Sequence, residues 1–170
     1  MPEKISELKP ANKVLRWLVR SPISLYNIGL GWLFGNHMLM LTHVGRMTGL
    51  PRRVVLEVVK YDRERERFYI VSSWMEKADW YKNIRKTPLV EVHFKNRHFS
   101  AFASRMEPEE AELIILDYGR RNPRMLRFFA RVTGYRLEDN EDDYRAFGRI
   151  IPVIEIRPHE IDPRKETSPG

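Results

Sequence analysis

Cysteine is absent from this 170-residue chain. Disulfides, thiolate metal sites and cysteine nucleophiles are thereby excluded, and a reducing compartment is compatible with that lack. No serine sits in a Gly-x-Ser-x-Gly elbow, so hydrolase chemistry has no foothold. The five histidines, His37, His43, His93, His98 and His159, form no HExxH arrangement and read as surface or core residues, so no metal is expected. The opening "MPEKISELKP" holds acids and a proline and lacks a signal-peptide pattern. Residues 23–41 carry no formal charge, which approaches the length of a membrane span. Three glycines, two asparagines and a histidine within that run favour a short helix, a loop and an entering strand of a soluble core.

What the chain does have is positive charge, unevenly placed. The net charge is +7, and residues 1–60 hold nine Lys and Arg against three Asp and Glu. Residues 61–120 hold eleven of each, and 121–170 hold ten against nine. A nucleic-acid binder usually spreads basic residues along a face with aromatics between them. The local excess points instead to an anion site or a membrane surface near the N-terminus, and no nucleic-acid partner is expected. Hydrophobic content of 42% and aromatic content of 11% are those of one folded domain.

The densest feature is residues 41–53, "LTHVGRMTGLPRR". Gly45 and Gly49 permit close backbone approach and positive φ, Arg46 and Thr48 bring a cation and a hydroxyl, and Arg52 and Arg53 follow Pro51. Backbone N–H groups in such a turn can line an anion-binding concavity. The alternative is a hairpin loop that happens to be basic, and the residues alone leave both readings open.

Around this turn the periodicity predicts strands over Met38–Thr42, Arg53–Tyr61, Arg67–Ser73, Leu89–Lys95, His98–Met106 and Ile151–Arg157, with an Asn96-Arg97 turn in the second hairpin. Helices are predicted from Asp79, as N-cap, to Pro88, after Pro108, over Pro123–Gly134 and over 140–149. Lys13–Arg20 reads as an amphipathic helix with Lys13, Arg16 and Arg20 on one side. It packs on the domain as a surface helix or lies on anionic lipid. Hairpin-linked strands argue for an antiparallel sheet or barrel of the α+β class. The expected organisation is a basic N-terminal helix over 1–22, one domain over 23–158 and a disordered tail over 159–170.

"LTHVGRMTGLPRR", "YIVSSWMEKADWYKNIRKTPLVEV" and "DDYRAFGRIIPVIEIRP" together resemble the nitroreductase-type deazaflavin-dependent oxidoreductases. The resemblance runs from about residue 12 to 158 and rests on the order of the motifs. It implies a split β-barrel of mostly antiparallel strands with inserted helices, like FMN-binding pyridoxamine-phosphate-oxidase relatives. It implies hydride transfer from a reduced 8-hydroxy-5-deazaflavin coenzyme to a quinone or nitro-type acceptor. Arg46, Thr48, Gly49, Pro51 and Arg52 would hold the coenzyme with Trp80, Tyr81 and Asn83, while Ser73 and Tyr144 would face the acceptor as catalytic groups. A homodimer and a cytoplasmic place at the inner membrane face, with peripheral contact through residues 13–20, are further implications. Met47 and Trp74 stand where relatives carry lysine, with Lys77 near enough in sequence to substitute. FMN therefore remains an alternative coenzyme, and a non-catalytic flavin-like ligand-binding protein an alternative role.

Overall fold

The computed structural model describes residues 1–5 and 37–159. The amphipathic helix expected over Lys13–Arg20 and residues 160–170 of the expected tail lie outside the described residues, while Glu3–Lys4, within the span expected to be a helix, is a strand. Six strands close into a barrel, each pairing antiparallel with both neighbours. In chain order they are β2 (Met38–Val44), β3 (Pro51–Asp62), β4 (Arg67–Val71), β5 (Leu89–Phe94), β6 (Arg97–Arg105) and β8 (Val153–Pro158). Their order around the barrel is β2-β3-β4-β8-β6-β5. Closure leaves no exposed strand edge in this sheet, which removes the template for edge-to-edge aggregation. Two-residue strands β1 (Glu3–Lys4) and β7 (Tyr135–Arg136) form a separate ribbon.

Alternation along the strands sorts side chains into two cores. Leu39, Leu41, Val58, Phe68, Ile70, Val90, Val92 and Ile154 fill the barrel, every one at most 5% exposed. Burying each such side chain contributes about 1.5–3 kcal/mol. Helix α1 (Asp79–Lys86) adds Trp80, Tyr81 and Ile84 to the same cluster. The outward faces of β3, β4 and β8 meet a helical excursion between β6 and β8. It comprises α2 (Pro108–Arg121), α3 (Pro123–Val132) and α4 (Glu141–Ile150). Ordinary alternation points Val58 into the barrel and Val59 into the helical layer, and the register shift between Val58 and Lys60 then changes the phase so that Tyr61 packs against the barrel cluster.

Several boundaries differ from the sequence-based expectation for local reasons. The second hairpin turns at Lys95-Asn96, because Phe94 pairs with Arg97 and Lys95 takes φ +54°. Asp79 does not cap its helix: Ala78 holds the cap position without a side-chain bond, and the Asp79 carboxylate goes to Arg46. The third and last helices meet the expectation more closely. Gly134 follows α3 at φ +85°, and the Asn140 side chain accepts the Asp143 N–H at 2.8 Å to start α4.

Helices α2 and α4 touch through glycine. A Cβ on Gly148 would stand 2.7 Å from the Glu112 Cα and 3.2 Å from the Ala111 carbonyl oxygen. Backbone cannot swing aside as a flexible side chain does, so Gly148→Ala should cost about 1–3 kcal/mol despite alanine's better helix propensity. Urea unfolding of the variant checks this, and an unchanged midpoint would show that the helix pair has slack.

Candidate active site

The chain reverses between β2 and β3 through Gly45–Leu50. Gly45 N–H donates to the Leu50 carbonyl at 2.8 Å and Gly49 N–H to the Gly45 carbonyl at 2.7 Å. The Leu50 N–H donates to Thr48 Oγ1 at 3.3 Å. Gly49 sits at φ +68°, where a side chain would be strained. A Cβ on Gly45 would lie 2.9 Å from Thr48 Oγ1 and 3.2 Å from the Leu50 carbonyl oxygen, so a side chain there would crowd the turn.

Helix α1 clamps this turn from below. Asn83 Oδ1 accepts the Arg46 backbone N–H and its guanidinium, both at 3.0 Å. The guanidinium also donates to the Asp79 carboxylate at 2.9 Å, and Lys86 Nζ donates to the Arg46 carbonyl at 3.0 Å. On its other side, Asn83 Nδ2 lies 3.1 Å from His43 Nδ1. An amide nitrogen only donates, so His43 accepts there and carries its own proton on Nε2. Burial, seconded by the nearby Arg52 charge, pushes the His43 pKa down to about 4. The imidazole is therefore neutral at neutral pH, as its role as acceptor requires.

A cleft of about 790 Å³ opens beside the turn. One end is polar, formed by Arg46, Thr48, Arg52, Asp79 and Asn83. Its walls are Val54 and Leu56 of β3, then Ser73 and Trp74 after β4, then Trp80 of α1. Phe128, Phe129 and Val132 of α3 supply a further apolar wall, with Phe128 56% exposed. Arg52 is exposed and makes no ion pair among the described residues. Ser73 is half-buried, and its hydroxyl makes no hydrogen bond among them.

Of the residues singled out from the sequence, Arg46, Thr48, Arg52, Ser73, Trp80 and Asn83 come together on this cleft. Gly49 and Pro51 shape the turn and the first residue of β3 without lining it. Lys77 is exposed on a short 3-10 turn (Met75–Lys77) outside the cleft, so the cation beside the turn is Lys86 instead. Tyr81 is 1% exposed, with its hydroxyl accepting from Arg105 at 3.2 Å. Tyr144 is buried between α2 and α4 with its hydroxyl bonded to Asp139, and burial with that bond pushes its pKa up to about 12. It stands apart from the cleft rather than facing it.

Sequence reasoning did not single out His43, Asp79 or Glu57 as cleft residues. Glu57 left a signal, being an acid set among the apolar residues of "VVLEVV". Its Oε1 accepts the Tyr118 hydroxyl from α2. His43 and Asp79 left none, because their partners are 40 and 33 residues away.

Comparison with known proteins bears on this architecture. No curated protein matches the chain. Among solved structures it is similar to the F420-H2 dependent reductase FDR-A, at 19% identity over 71% of this chain and 93% of that one, with a TM-score of 0.47. It is also similar to a general stress protein 26-related protein of the pyridoxine-phosphate-oxidase family from Clostridium acetobutylicum. That match has 10% identity over 81% and 85% of the two chains and a TM-score of 0.50. A conserved hypothetical protein of Mycobacterium tuberculosis, Rv2991, matches at 12% identity over 85% and 89%, with a TM-score of 0.50. The two likenesses at a TM-score of 0.50 are of fold, and the expected pyridoxamine-phosphate-oxidase-like barrel is the fold observed. Residues 24–124, more than half of the chain, match the model of one family. The chain therefore belongs to the F420H(2)-dependent quinone reductases, a family of oxidoreductases.

Proposed function

We propose that the cleft binds the reduced 8-hydroxy-5-deazaflavin coenzyme and presents its ring to a quinone acceptor. The observation that carries this reading is the cleft's polarity: a cationic turn at one end continues into apolar walls. A flat ring with an anionic tail needs that sequence of environments. The donor set fits the coenzyme, since Arg52 is uncommitted, Thr48 offers a hydroxyl, and Gly45 keeps the turn clear of a side chain. Met47, 85% exposed, supplies no cation where relatives have lysine, and Lys86 stands near the Arg46 carbonyl in compensation.

When bound, the coenzyme would supply hydride, so the protein's work is placement and electrostatics. Arg52 and Thr48 would hold the anionic tail, while Arg46 would set the turn's shape through Asp79 and Asn83. Trp74 and Trp80 would wall the ring and exclude water. Ser73, whose hydroxyl is uncommitted, would donate a hydrogen bond to the acceptor oxygen as negative charge develops there. The apolar α3 wall suits a quinone better than a small polar nitro compound. A second reading, FMN in place of the deazaflavin, draws on the same fold and on the missing lysines.

Titration with each coenzyme, followed by tryptophan fluorescence, tests the reading, because Trp74 and Trp80 line the cleft. Quenching by the deazaflavin and not by FMN is the expected result, and no response to either would overturn it. The same titration separates two arginines. Arg52→Ala should weaken binding about tenfold, the scale of one charged hydrogen bond, with little change in stability. Arg46→Ala should lower both, because Arg46 is also a structural tie.

A further inference from the structure

Two carboxylates line the cleft among the described residues, Asp79 and Glu57. Asp79 is committed to Arg46. Glu57 stands five residues beyond Arg52 on β3, about 17 Å away by strand rise. Its neighbours there are apolar: Met38 is its partner across the ladder, and Val55 shares its face and lines the cleft. The ring of Phe129 lies 6.2 Å from that of Tyr118, whose hydroxyl donates to Glu57 Oε1. The other oxygen, Oε2, has no hydrogen-bond partner among the described residues, and no cation forms an ion pair with this carboxylate there. A lone carboxyl in an apolar wall is costly to keep charged, so this arrangement favours its protonated form.

We propose that Glu57 is a further catalytic residue, the proton donor to the reduced acceptor, and that Tyr118 is its positioning residue. The inference rests on the reading of the cleft as the site of quinone reduction. Hydride supplied to the acceptor forms an O–H bond at one quinone oxygen, both carbonyl π bonds give way to those of the aromatic ring, and the second oxygen is left with an electron pair and negative charge. The oxygen that gains that electron pair forms an O–H bond to the proton leaving Glu57 Oε2. The Glu57 carboxylate then recovers a proton from water, and the product is the neutral quinol. Tyr118 fixes Oε1 and so turns Oε2 toward the cleft.

Burial raises the Glu57 pKa above the ordinary carboxylate range, opposed by the Tyr118 hydrogen bond and by the charge of His37 before β2. Arg121 also belongs to this surrounding: it donates to the Val59 carbonyl at 3.1 Å and lies 6.0 Å from the Tyr118 ring. Its charge opposes the upward shift that burial and the Glu57 bond impose on Tyr118.

The test uses Glu57→Gln, Glu57→Asp and Tyr118→Phe in the full chain, with the reduced deazaflavin and menadione as acceptor. Glu57→Gln should leave coenzyme affinity intact and lower menadione turnover about 10²-fold, the scale of general acid catalysis. Wild-type turnover should fall as pH rises through the raised Glu57 pKa, and the Gln variant should lose that limb. The Asp variant should restore part of the rate, and Tyr118→Phe should move the limb to higher pH by removing the bond that lowers it. Infrared difference spectra of coenzyme-free wild type against Glu57→Gln should show a protonated carboxyl titrating above the ordinary range. Wild-type turnover and pH profile in Glu57→Gln would overturn the proposal, as would a carboxyl that titrates in the ordinary range. If the wild type binds no deazaflavin, the reading of the cleft fails instead, and the infrared result still reports on Glu57 separately.

Discussion

Replacing Asn83 with leucine is expected to remove about 3 kcal/mol of stability, a large part of the total for a domain of this size. Leucine fills a similar volume but can neither accept from Arg46 nor donate to His43. The Arg46 backbone N–H, bonded at 3.0 Å, and His43 Nδ1, at 3.1 Å, would both lose their partner. Each group stranded away from water costs about 1–3 kcal/mol. The guanidinium would keep Asp79, but that pair is worth little because Asp79 is exposed. Urea unfolding with an unchanged slope is the appropriate measurement. Deazaflavin affinity should fall as well, since the turn would lose its anchor to α1. A loss well under 1 kcal/mol would mean that water replaces the amide and that the clamp is incidental.

The second large effect is in pH. The folded-state pKa of His43 is about 4, below the unfolded value near 6.5. Below pH 6.5 the unfolded chain takes up a proton that the folded chain refuses, so folding loses ground as pH falls through the window from 6.5 to 4. The whole loss is about 3 kcal/mol. Wild-type stability should therefore decline across that window more than that of His43→Gln, which has no imidazole to titrate. Parallel curves for the two proteins would remove the basis of the argument. Asn83→Asp offers a cross-check, because a carboxylate facing Nδ1 favours the imidazolium. It should raise the His43 pKa and flatten the same decline.

How much of this was legible beforehand depends on the distance over which each feature is determined. The strands from Pro51 to Val71 and from Leu89 to Arg105 announce themselves through side chains two apart, a signal contained within each segment. The turn at Gly45–Leu50 was legible too, since Gly49 and Pro51 act on their own backbone. Its anchoring was not: Arg46 reads in the sequence as a residue that would hold the coenzyme, whereas most of its bonding goes to Asp79 and Asn83 more than thirty residues on. Tyr144 stood near the right motif, but its position on α4 turns it toward Gly119 and Asp139, which only the packing of α2 against α4 decides. Glu57 shares a face of β3 with Val55 and Val59, the face on which the helical excursion packs, and its partner Tyr118 comes from a helix 61 residues later.

The helical excursion between β6 and β8 leaves the barrel and rejoins it between two strands that are themselves paired, with Met106 N–H donating to the Val153 carbonyl at 2.9 Å. The ends of the inserted segment are thus held together by the barrel, whatever the segment's own sequence. The barrel and the basic turn form a fixed socket, and the excursion is a cassette carrying the Phe128, Phe129 and Val132 wall. Exchange of the cassette between relatives would change the shape offered to the acceptor while the ladder of β6 on β8 stayed whole. Diversity in what is reduced would then collect in α2, α3 and α4, and economy of invention in the strands beneath them.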